Sequence, residues 1–456
     1  MRIKIRDIAE DGSGIGPDEE GKIWFCEDAL PGEIIEAAAA GKNRCRPLKR
    51  LNDAPFRQDP PCPLFGRCGG CSLQHMQYEA ALELKHRQVR DKLIRIGGFS
   101  EESVKRADRS PDGKAYASPE IFHYRNNIRW HVKRKNGRVL CGFLTRGSHD
   151  LLNIGALPCL LAAPPADKVR RHFQAFCQKQ AAETLLPDAL QVRHSEENKE
   201  VLITLFFRRD RFMKQQQKQR ALWLRWLDAL KPVIAAYRIA GLSAVLQEVS
   251  RRRKAKTEEV ILSGRNYLHE SIGGKEFFIQ QQGFFQVNSR QAERLAETVF
   301  ARSKARPGQE IWDIYGGTGS LGLNFALAGL NVRVIEIHPG TVKFGSMQAE
   351  ANGVSERMRF YRGDASKKAA ELLDSGFAPD IILTDPPRAG LTERLIRDLA
   401  STGAKRWIYV SCDPATLARD LRLMTEKGFC LESFETFDMF PGTMHAECLC
   451  LMSRED

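Results

Sequence analysis

The segment EIWDIYGGTGSLGLNFALAG, residues 310–329, decides the fold class, because it runs from an apolar strand through a glycine-rich turn into a helix. The same order recurs towards the carboxyl terminus, with further apolar strands in VRVIE, DIILT and RWIYVS. Strands that alternate with helices build βαβ units, which form a mostly parallel sheet covered by helices. The sequence therefore predicts a multidomain α/β protein with a Rossmann-like domain over residues 291–456.

The glycine-rich turn is a candidate ligand site. Its glycines follow Asp313 and stand at Gly316, Gly317 and Gly319. Glycine lets the backbone pass close to a ligand, and Glu336 ends the next strand, where a carboxylate can accept both hydroxyls of a ribose. The spacing Asp-x-x-Gly-Gly-x-Gly is not the dinucleotide fingerprint GxGxxG, so S-adenosylmethionine is favoured over NAD. The glycines alone leave a tight structural turn as an alternative.

Three reactive side chains are expected at the same edge of the sheet. Asp385 follows the strand IILT and Cys412 follows RWIYVS, so both stand at carboxyl ends of strands, where open α/β sheets bind ligands. Glu447 lies beside an apolar run near the carboxyl terminus. Singly, the three have plain alternatives: core packing for the thiol, a turn cap for the aspartate and a solvated strand face for the glutamate. Their coincidence at one edge favours catalysis.

Size and charge limit the partners of the chain. At 456 residues it is too long for one hydrophobic core, and its net charge of +13 favours a polyanionic partner. By count, residues 1–60 carry −2, residues 61–290 carry +18 and residues 291–456 carry −3, so the basic surface belongs to the middle. The sequence has neither an apolar signal core nor a membrane-length apolar stretch. We expect a cytoplasmic protein without membrane contact.

Seven motifs occur in order along the chain. They are CPLFGRCGGCSLQH (62–75), YRNNIRW (124–130), FFQVN (284–288), DIYGGTGSLGL (313–323), DPPRAGL (385–391), SCDPATLARDL (411–421) and MFPGTMHAE (439–447). Together they resemble the RNA 5-methyluridine (uracil-C5) methyltransferases, which modify ribosomal and transfer RNA. Residues 1–52, with short β-rich runs and glycine turns, resemble the TRAM domain of that family, an OB-like barrel.

The resemblance implies a domain layout. It places a TRAM-like barrel at 1–55, a central α+β RNA-binding domain with an iron–sulfur loop at 56–290, and an S-adenosylmethionine-dependent methyltransferase domain at 291–456. Large-subunit 23S ribosomal RNA is the favoured substrate, with transfer RNA as the alternative. No obligate protein partner is implied.

The chemistry of uracil agrees with this resemblance. C5 is too weak a nucleophile to take a methyl group from a sulfonium unless another nucleophile first adds at C6. By resemblance Cys412 is that nucleophile, Glu447 is the base that removes the C5 proton, and Asp385 orients the reacting groups. The residues expected against cofactor or target base are Gln286, Tyr315, Ser320, Glu336, Asp364 and Asp385. Because the target base must leave its stack, Phe285 is expected to wall the pocket.

Cysteines upstream form a second candidate site. Cys62, Cys68 and Cys71 have the spacing C-x5-C-x2-C in a loop rich in proline and glycine, and Cys159 is a distant fourth. Thiolates in such loops bind zinc or an iron–sulfur cluster. The resemblance favours a [4Fe-4S] cluster on all four, with zinc and plain core cysteines as alternatives. The radical-enzyme motif C-x3-C-x2-C is absent, so the cluster is expected to serve structure or RNA recognition.

Two positions depart from the family pattern. Gly316 stands where the family commonly has cysteine, and we expect glycine to meet the same backbone need. Cys159 is followed by Leu160, where the family usually has proline.

RNA is expected to contact the segment YRNNIRWHVKRK (124–135), which mixes basic residues with rings on which bases can stack. The alternative is that Tyr124 and Trp130 pack a sheet. A non-catalytic iron–sulfur RNA-binding protein is a further alternative, but it would not explain the three reactive groups. A DNA or protein methyltransferase would lack the barrel, and amino-group methylation typically uses an aromatic residue where Arg388 stands.

Overall fold

A computed structural model describes residues 1–248 and 256–454 of the chain. Within these residues the strands form three large sheets and one two-stranded hairpin. The first sheet comprises β1 (Arg2–Lys4), β2 (Asp7–Ile8), β3 (Gly14–Pro17), β4 (Ile23–Cys26), β5 (Ile34–Gly41) and β6 (Arg44–Arg50). The short strands predicted in residues 1–52 are therefore present.

In this first sheet the edge strand β1 lies close to β3. The order of the sheet is β1-β5-β6-β4-β3-β2, so β1 and β2, which follow each other along the chain, lie at its two edges. Ile3 bridges to Asp18 just after β3, and the buried Trp24 helps to fill the interior. Gly16 permits the close approach, because a Cβ there would lie 2.0 Å from the Lys4 carbonyl oxygen.

Two helices follow, α1 (Tyr78–Arg95) and α2 (Glu101–Ala107). Their apolar residues, including Val89, Leu93 and Val104, pack into the core of the C-terminal sheet. The predicted boundaries assign these helices to the central domain at 56–290. An apolar face shows that a helix is covered, but not by which sheet, so the sequence could not reveal this packing.

The second large sheet occupies the middle of the chain. Its strands are β7 (Asn127–Lys135), β8 (Arg138–Leu144), β9 (Leu151–Asn153), β10 (Ala189–Ser195), β11 (Glu200–Arg208), β12 (Arg238–Gln247) and β13 (Thr257–Gly264). They are arranged in the order β13-β12-β11-β10-β7-β8-β9, with β11 and β12 parallel. The helices of this region are α3 (Pro164–Gln178), α4 (Arg209–Met213) and α5 (Gln216–Leu230), with 3-10 turns at Pro111–Gly113 and Lys231–Ile234. Trp130, Trp223 and Trp226 anchor the shared core.

A hairpin, β14 (Tyr267–Ile272) and β15 (Lys275–Gln280), leads to the C-terminal region. That region contains α6 (Ser289–Ser303), β16 (Glu310–Ile314), α7 (Gly322–Leu327), β17 (Asn331–Glu336), α8 (Pro339–Ala351), β18 (Met358–Arg362), α9 (Ala365–Asp374), β19 (Ile381–Thr384), α10 (Glu393–Ala400), β20 (Arg406–Ser411), α11 (Pro414–Thr425), β21 (Cys430–Phe437) and β22 (Glu447–Ser453). The predicted alternation of strand and helix is confirmed.

The order of the C-terminal sheet is β18-β17-β16-β19-β20-β22-β21. The first five strands in this order are parallel, and β22 and β21 are antiparallel additions at one edge. The chain moves outward in one direction from β16 and then returns to its other side at β19, so the switch point lies between these two strands. Ligands of open α/β sheets bind there, beyond the carboxyl ends of the strands.

None of the helices in the described parts of the chain is both long and apolar enough to cross a bilayer.

Candidate active site at the carboxyl edge of the C-terminal sheet

The turn after β16 holds its residues in an unusual environment. Asp313 is fully buried, and burial, together with the nearby charges of Asp385 and Glu336, raises its pKa to about 8. Tyr315 has φ 61°, in the left-handed region that residues other than glycine rarely adopt. Its backbone N–H donates to the Ile335 carbonyl at 3.1 Å, which ties the turn to β17. Backbone strain of this kind clusters at ligand sites.

Gly316 is enclosed by side chains. A Cβ at this position would lie 2.6 Å from Asp313 Cγ and 2.7 Å from Val334 Cγ1. Its φ is not in the left-handed region. The lack of a side chain at Gly316 therefore makes room for the buried carboxyl group, a steric role that the sequence did not indicate.

Three other predicted cofactor residues surround the turn. Glu336 is the last residue of β17 and accepts the His338 N–H at 2.8 Å. Asp364 follows β18 and caps α9, because its side chain accepts a backbone N–H at 3.2 Å. The pKa of Tyr315 is raised first by burial and second by the negative charge of Asp364. Ser320 is half-buried in the turn itself. The four residues thus stand at the ends of β16, β17 and β18.

The three predicted reactive residues form one electrostatic group. Asp385 directly follows β19, Cys412 follows β20, and Glu447 begins β22. Burial, followed by the charges of Glu447 and Asp385, raises the pKa of Cys412 to about 11. Burial raises the pKa of Asp385 to about 7, and burial with the charge of Asp385 raises the pKa of Glu447 well above its usual range.

Arg388 supplies a positive charge to this group. Its guanidinium lowers the pKa of both Cys412 and Glu447, against the larger effect of burial, and one of its N–H groups donates to His445 Nδ1 at 3.4 Å. From the sequence, Arg388 served only to argue against amino-group methylation. Its position directly after Asp385-Pro-Pro was the signal that could have placed it in the site.

The thiol of Cys412 is held between a buried strand and a capped helix. Asp413 caps α11 by accepting the Ala415 and Thr416 N–H groups at 3.1 and 2.9 Å. Ser411 Oγ donates to the Asp413 carbonyl at 3.1 Å. Both neighbours of Cys412 are therefore held, which fixes the direction of its Cα–Cβ bond.

The FFQVN segment directly precedes α6. Phe285 is buried and packs edge-to-face on Phe277, 5.7 Å between ring centroids, and its role as a pocket wall stays a prediction. Phe284 is 76% exposed and is the free ring of the pair. Gln286 is half-buried, and its carbonyl accepts the Asn126 side-chain N–H at 3.0 Å, which joins this segment to the YRNNIRW motif.

The rings of the basic segment are core residues. Trp130 is fully buried between the central sheet and its helices, and Tyr124 is 5% exposed with its hydroxyl donating to the Pro441 carbonyl at 3.1 Å. The expectation that bases stack on these rings is therefore wrong, and the packing alternative holds. Alternating residues of a strand face opposite sides, so the basic neighbours of Trp130 point outward.

The four cysteines predicted as ligands line one cavity of about 450 Å³. They are Cys62, Cys68, Cys71 and Cys159. Burial is the main cause that raises the pKa of Cys71 to about 12, and the three other cysteines add to it. Among the described residues no group of three or more His, Cys, Asp or Glu is arranged to hold a single metal ion.

Comparison with known proteins adds the family. A family model described as tRNA (Uracil-5-)-methyltransferase matches residues 102–455. The chain belongs to the tRNA (uracil-5-)-methyltransferase family. This membership confirms the resemblance, and six of the seven motifs, from YRNNIRW to MFPGTMHAE, lie within the matched residues. It also supports the coarser predictions, an RNA methyltransferase with S-adenosylmethionine as methyl donor.

Relatives of the family match along the whole chain. An uncharacterized RNA methyltransferase of Bacillus cereus is 30% identical over 461 residues, covering 99% of this chain and 96% of the relative. One of Chlorobaculum tepidum is 30% identical, covering 100% of this chain and 96% of the relative. The solved tRNA (uracil-54, C5)-methyltransferase of Pyrococcus abyssi, in complex with S-adenosyl-L-homocysteine, is 22% identical with a TM-score of 0.72 over 99% of both chains. That likeness shows a shared fold.

Proposed function

We propose that this protein methylates C5 of uridine in RNA. The observation that supports the proposal is the group of Cys412, Asp385, Glu447 and Arg388 at one edge of the sheet. It combines a thiol, two carboxyl groups and a cation beside the glycine turn. Methylation at C5 needs such a set, because the ring must gain a nucleophile at C6 and then lose a proton from C5.

The proposed reaction proceeds through a covalent adduct. Cys412 first gives up its thiol proton to solvent, the thiolate Sγ bonds to C6 of the uracil, and the electron pair of the C5–C6 double bond becomes available at C5. S-adenosylmethionine, when bound, supplies the methyl group that C5 accepts. Glu447 then removes the C5 proton, the C5–C6 double bond reforms, and the bond from C6 to Sγ breaks to release the thiolate. Asp385 orients the uracil ring, and the positive charge of Arg388 stabilises the thiolate of Cys412.

The methyl donor would be held at the glycine turn. Glu336 is proposed for the ribose hydroxyls, and Tyr315, Ser320 and Asp364 for the remainder of the nucleoside. This assignment is supported by their positions at neighbouring strand ends beside the switch point. Gln286 is proposed for the same pocket on the resemblance of its motif.

A [4Fe-4S] cluster is proposed on Cys62, Cys68, Cys71 and Cys159. Four thiols around one cavity fit this group, since soft thiolates are the ligands of iron–sulfur clusters. The loop over 62–75 contains neither a helix nor a named strand. A cluster would therefore fix the shape of a segment that no helix or strand holds in place.

Large-subunit 23S ribosomal RNA is the proposed substrate, and residues 1–52 are proposed to act as a TRAM-like RNA-binding barrel. Transfer RNA is the second candidate, because the family model bears that name and the solved tRNA enzyme shares the fold over the whole chain. Mapping 5-methyluridine in total RNA from cells with and without the protein distinguishes the two. Loss from neither RNA class would contradict both.

Tritium release tests the reaction. RNA labelled as [5-3H]uridine should lose its label in the presence of the enzyme and S-adenosylmethionine, because only chemistry at C5 frees that hydrogen. Cys412→Ala should release none. A Cys412→Ala protein that still methylates RNA would overturn the mechanism.

A further inference from the structure

The segment that leads to Glu447 has contacts unlike those of an ordinary hairpin loop. Residues 438–446, the base segment, connect β21 to β22, and Phe437 pairs with Glu447 at its two ends. Residues between these ends form hydrogen bonds with Lys85 and Tyr124, which lie more than 300 positions earlier in the chain.

A buried lysine of α1 holds the start of the base segment. Lys85 Nζ donates to Asp438 Oδ1 at 2.5 Å and to the Phe440 carbonyl at 3.2 Å, and the Lys85 and Asp438 side chains are each 1% exposed. Lysine is almost never fully buried unless it is paired. The position of α1 therefore fixes the backbone where the segment leaves β21.

The cysteine loop holds the middle of the segment. The backbone N–H groups of Ser72 and Leu73, directly after Cys71, both donate to the Gly442 carbonyl, at 2.9 and 3.0 Å. The Tyr124 hydroxyl donates to the adjacent Pro441 carbonyl at 3.1 Å.

Apolar packing extends the same attachment. Met444 is buried in a small core with Leu73 and Met76. Successive parts of the base segment are thus attached to α1, to Tyr124 and to the residues that directly follow Cys71. The segment also carries His445, which accepts from Arg388, so its position bears on the cation beside the thiol.

We propose that Lys85, Tyr124 and the backbone after Cys71 are positioning elements that set the carboxyl group of Glu447, and that the cysteine loop acts on the reaction through the base segment. The inference rests on the proposed function of Glu447 as the base. It gives the cysteine loop a role in proton removal, separate from RNA binding.

The effect should be selective for one step. Cys412 is held by Ser411, Asp413 and α11, none of which belongs to the base segment. Within the segment, only His445 reaches the thiol's surroundings, through its 3.4 Å contact with Arg388. Loosening the segment should therefore slow the removal of the C5 proton more than attack and methyl transfer. The methylated adduct then lasts longer, whereas general damage to the fold would reduce adduct formation and turnover together.

Two variants test this in the full chain. Tyr124→Phe removes a single hydrogen bond to the segment. Lys85→Met combined with Asp438→Leu removes both buried charges and the bond to Phe440, and apolar replacement of a buried ion pair is commonly tolerated by the fold. Lys114→Met is the matched control, since this lysine pairs with Glu79 and Glu83 at the surface.

The expected result is a fall in kcat of up to about 100-fold for the double variant, in line with small displacements of catalytic groups. The fraction of enzyme joined to natural RNA on a denaturing gel, with S-adenosylmethionine present, should rise. Trapping by 5-fluorouridine RNA should keep the unmutated rate. Tyr124→Phe should show the same pattern more weakly, and Lys114→Met should match the unmutated enzyme.

Hydrogen exchange gives a readout independent of turnover. Amides of residues 438–446 should exchange faster in both test variants. The proposal is overturned if Tyr124→Phe and the double variant exchange as the unmutated protein does, or if adduct formation and turnover fall in parallel. Failure of the unmutated enzyme to attach to 5-fluorouridine RNA would instead overturn the proposed function itself.

Discussion

At the level of single residues, the thiol of Cys412 is protonated in the free protein. A pKa of about 11 leaves little thiolate at neutral pH, and Arg388 is the cation that opposes the burial responsible. Arg388→Gln should raise this pKa further, so iodoacetamide should modify Cys412 a few-fold more slowly at pH 8, as followed by peptide mass spectrometry. Arg394→Gln, which removes an exposed charge, is the control. Equal rates in both variants would remove Arg388 from the mechanism.

Replacing Glu447 and replacing Cys412 should have different effects on the protein–RNA adduct. Glu447→Gln keeps the nucleophile but cannot take the C5 proton, so it should accumulate a protein–RNA species that depends on S-adenosylmethionine and survives denaturing electrophoresis. Cys412→Ala should form none. Absence of the species in Glu447→Gln would assign the base to another group.

Gly316 gives a prediction about stability. Its missing Cβ leaves space for Asp313 and Val334, so Gly316→Ala should destabilise the fold by about 1–3 kcal/mol, the usual cost of overpacking. Denaturant unfolding measures this. In a Val334→Ala background, where one of the clashing atoms is absent, the same change should cost less. Additive costs would mean that the clash is relieved elsewhere.

At the level of elements, the cysteine loop should depend on its metal group. Anaerobically purified protein should be brown and contain iron and sulfide, and Cys71→Ala should lose both together with soluble yield. Cys430→Ala, at an exposed cysteine that does not line the cavity, should change neither. Stoichiometric zinc without iron would contradict the cluster.

The elements also show what a sequence can predict. The strand ends that carry Asp385 and Cys412 were predictable, because an apolar run followed by a turn places the next residue at the edge of a parallel sheet. The packing of α1 and α2 was not, since periodicity gives a buried face without its partner. Phe284 and Phe285 are adjacent and chemically identical, and only the tertiary structure decides which ring is buried.

At the level of the whole molecule, the basic residues of the middle region cannot be helped in RNA binding by base stacking on Tyr124 and Trp130, because both rings are buried. Electrostatic contact with phosphates remains. Helix α5 and the residues before it offer such a surface: the segment 211–227 has five basic residues, at Arg211, Lys214, Lys218, Arg220 and Arg225, all exposed, and no acidic residue.

This surface should be visible in the salt dependence of RNA binding. Contacts to phosphates release counterions, so affinity should fall steeply with salt, and replacing Lys218, Arg220 and Arg225 by Gln should reduce the slope of log affinity against log salt by about 2 to 3. The control replaces three lysines already paired with carboxylates, Lys199, Lys231 and Lys304, and changes net charge equally. Affinity for S-adenosylmethionine should stay constant in both. Equal slopes for the two triple variants would mean that α5 only faces solvent and that RNA follows another part of the basic region.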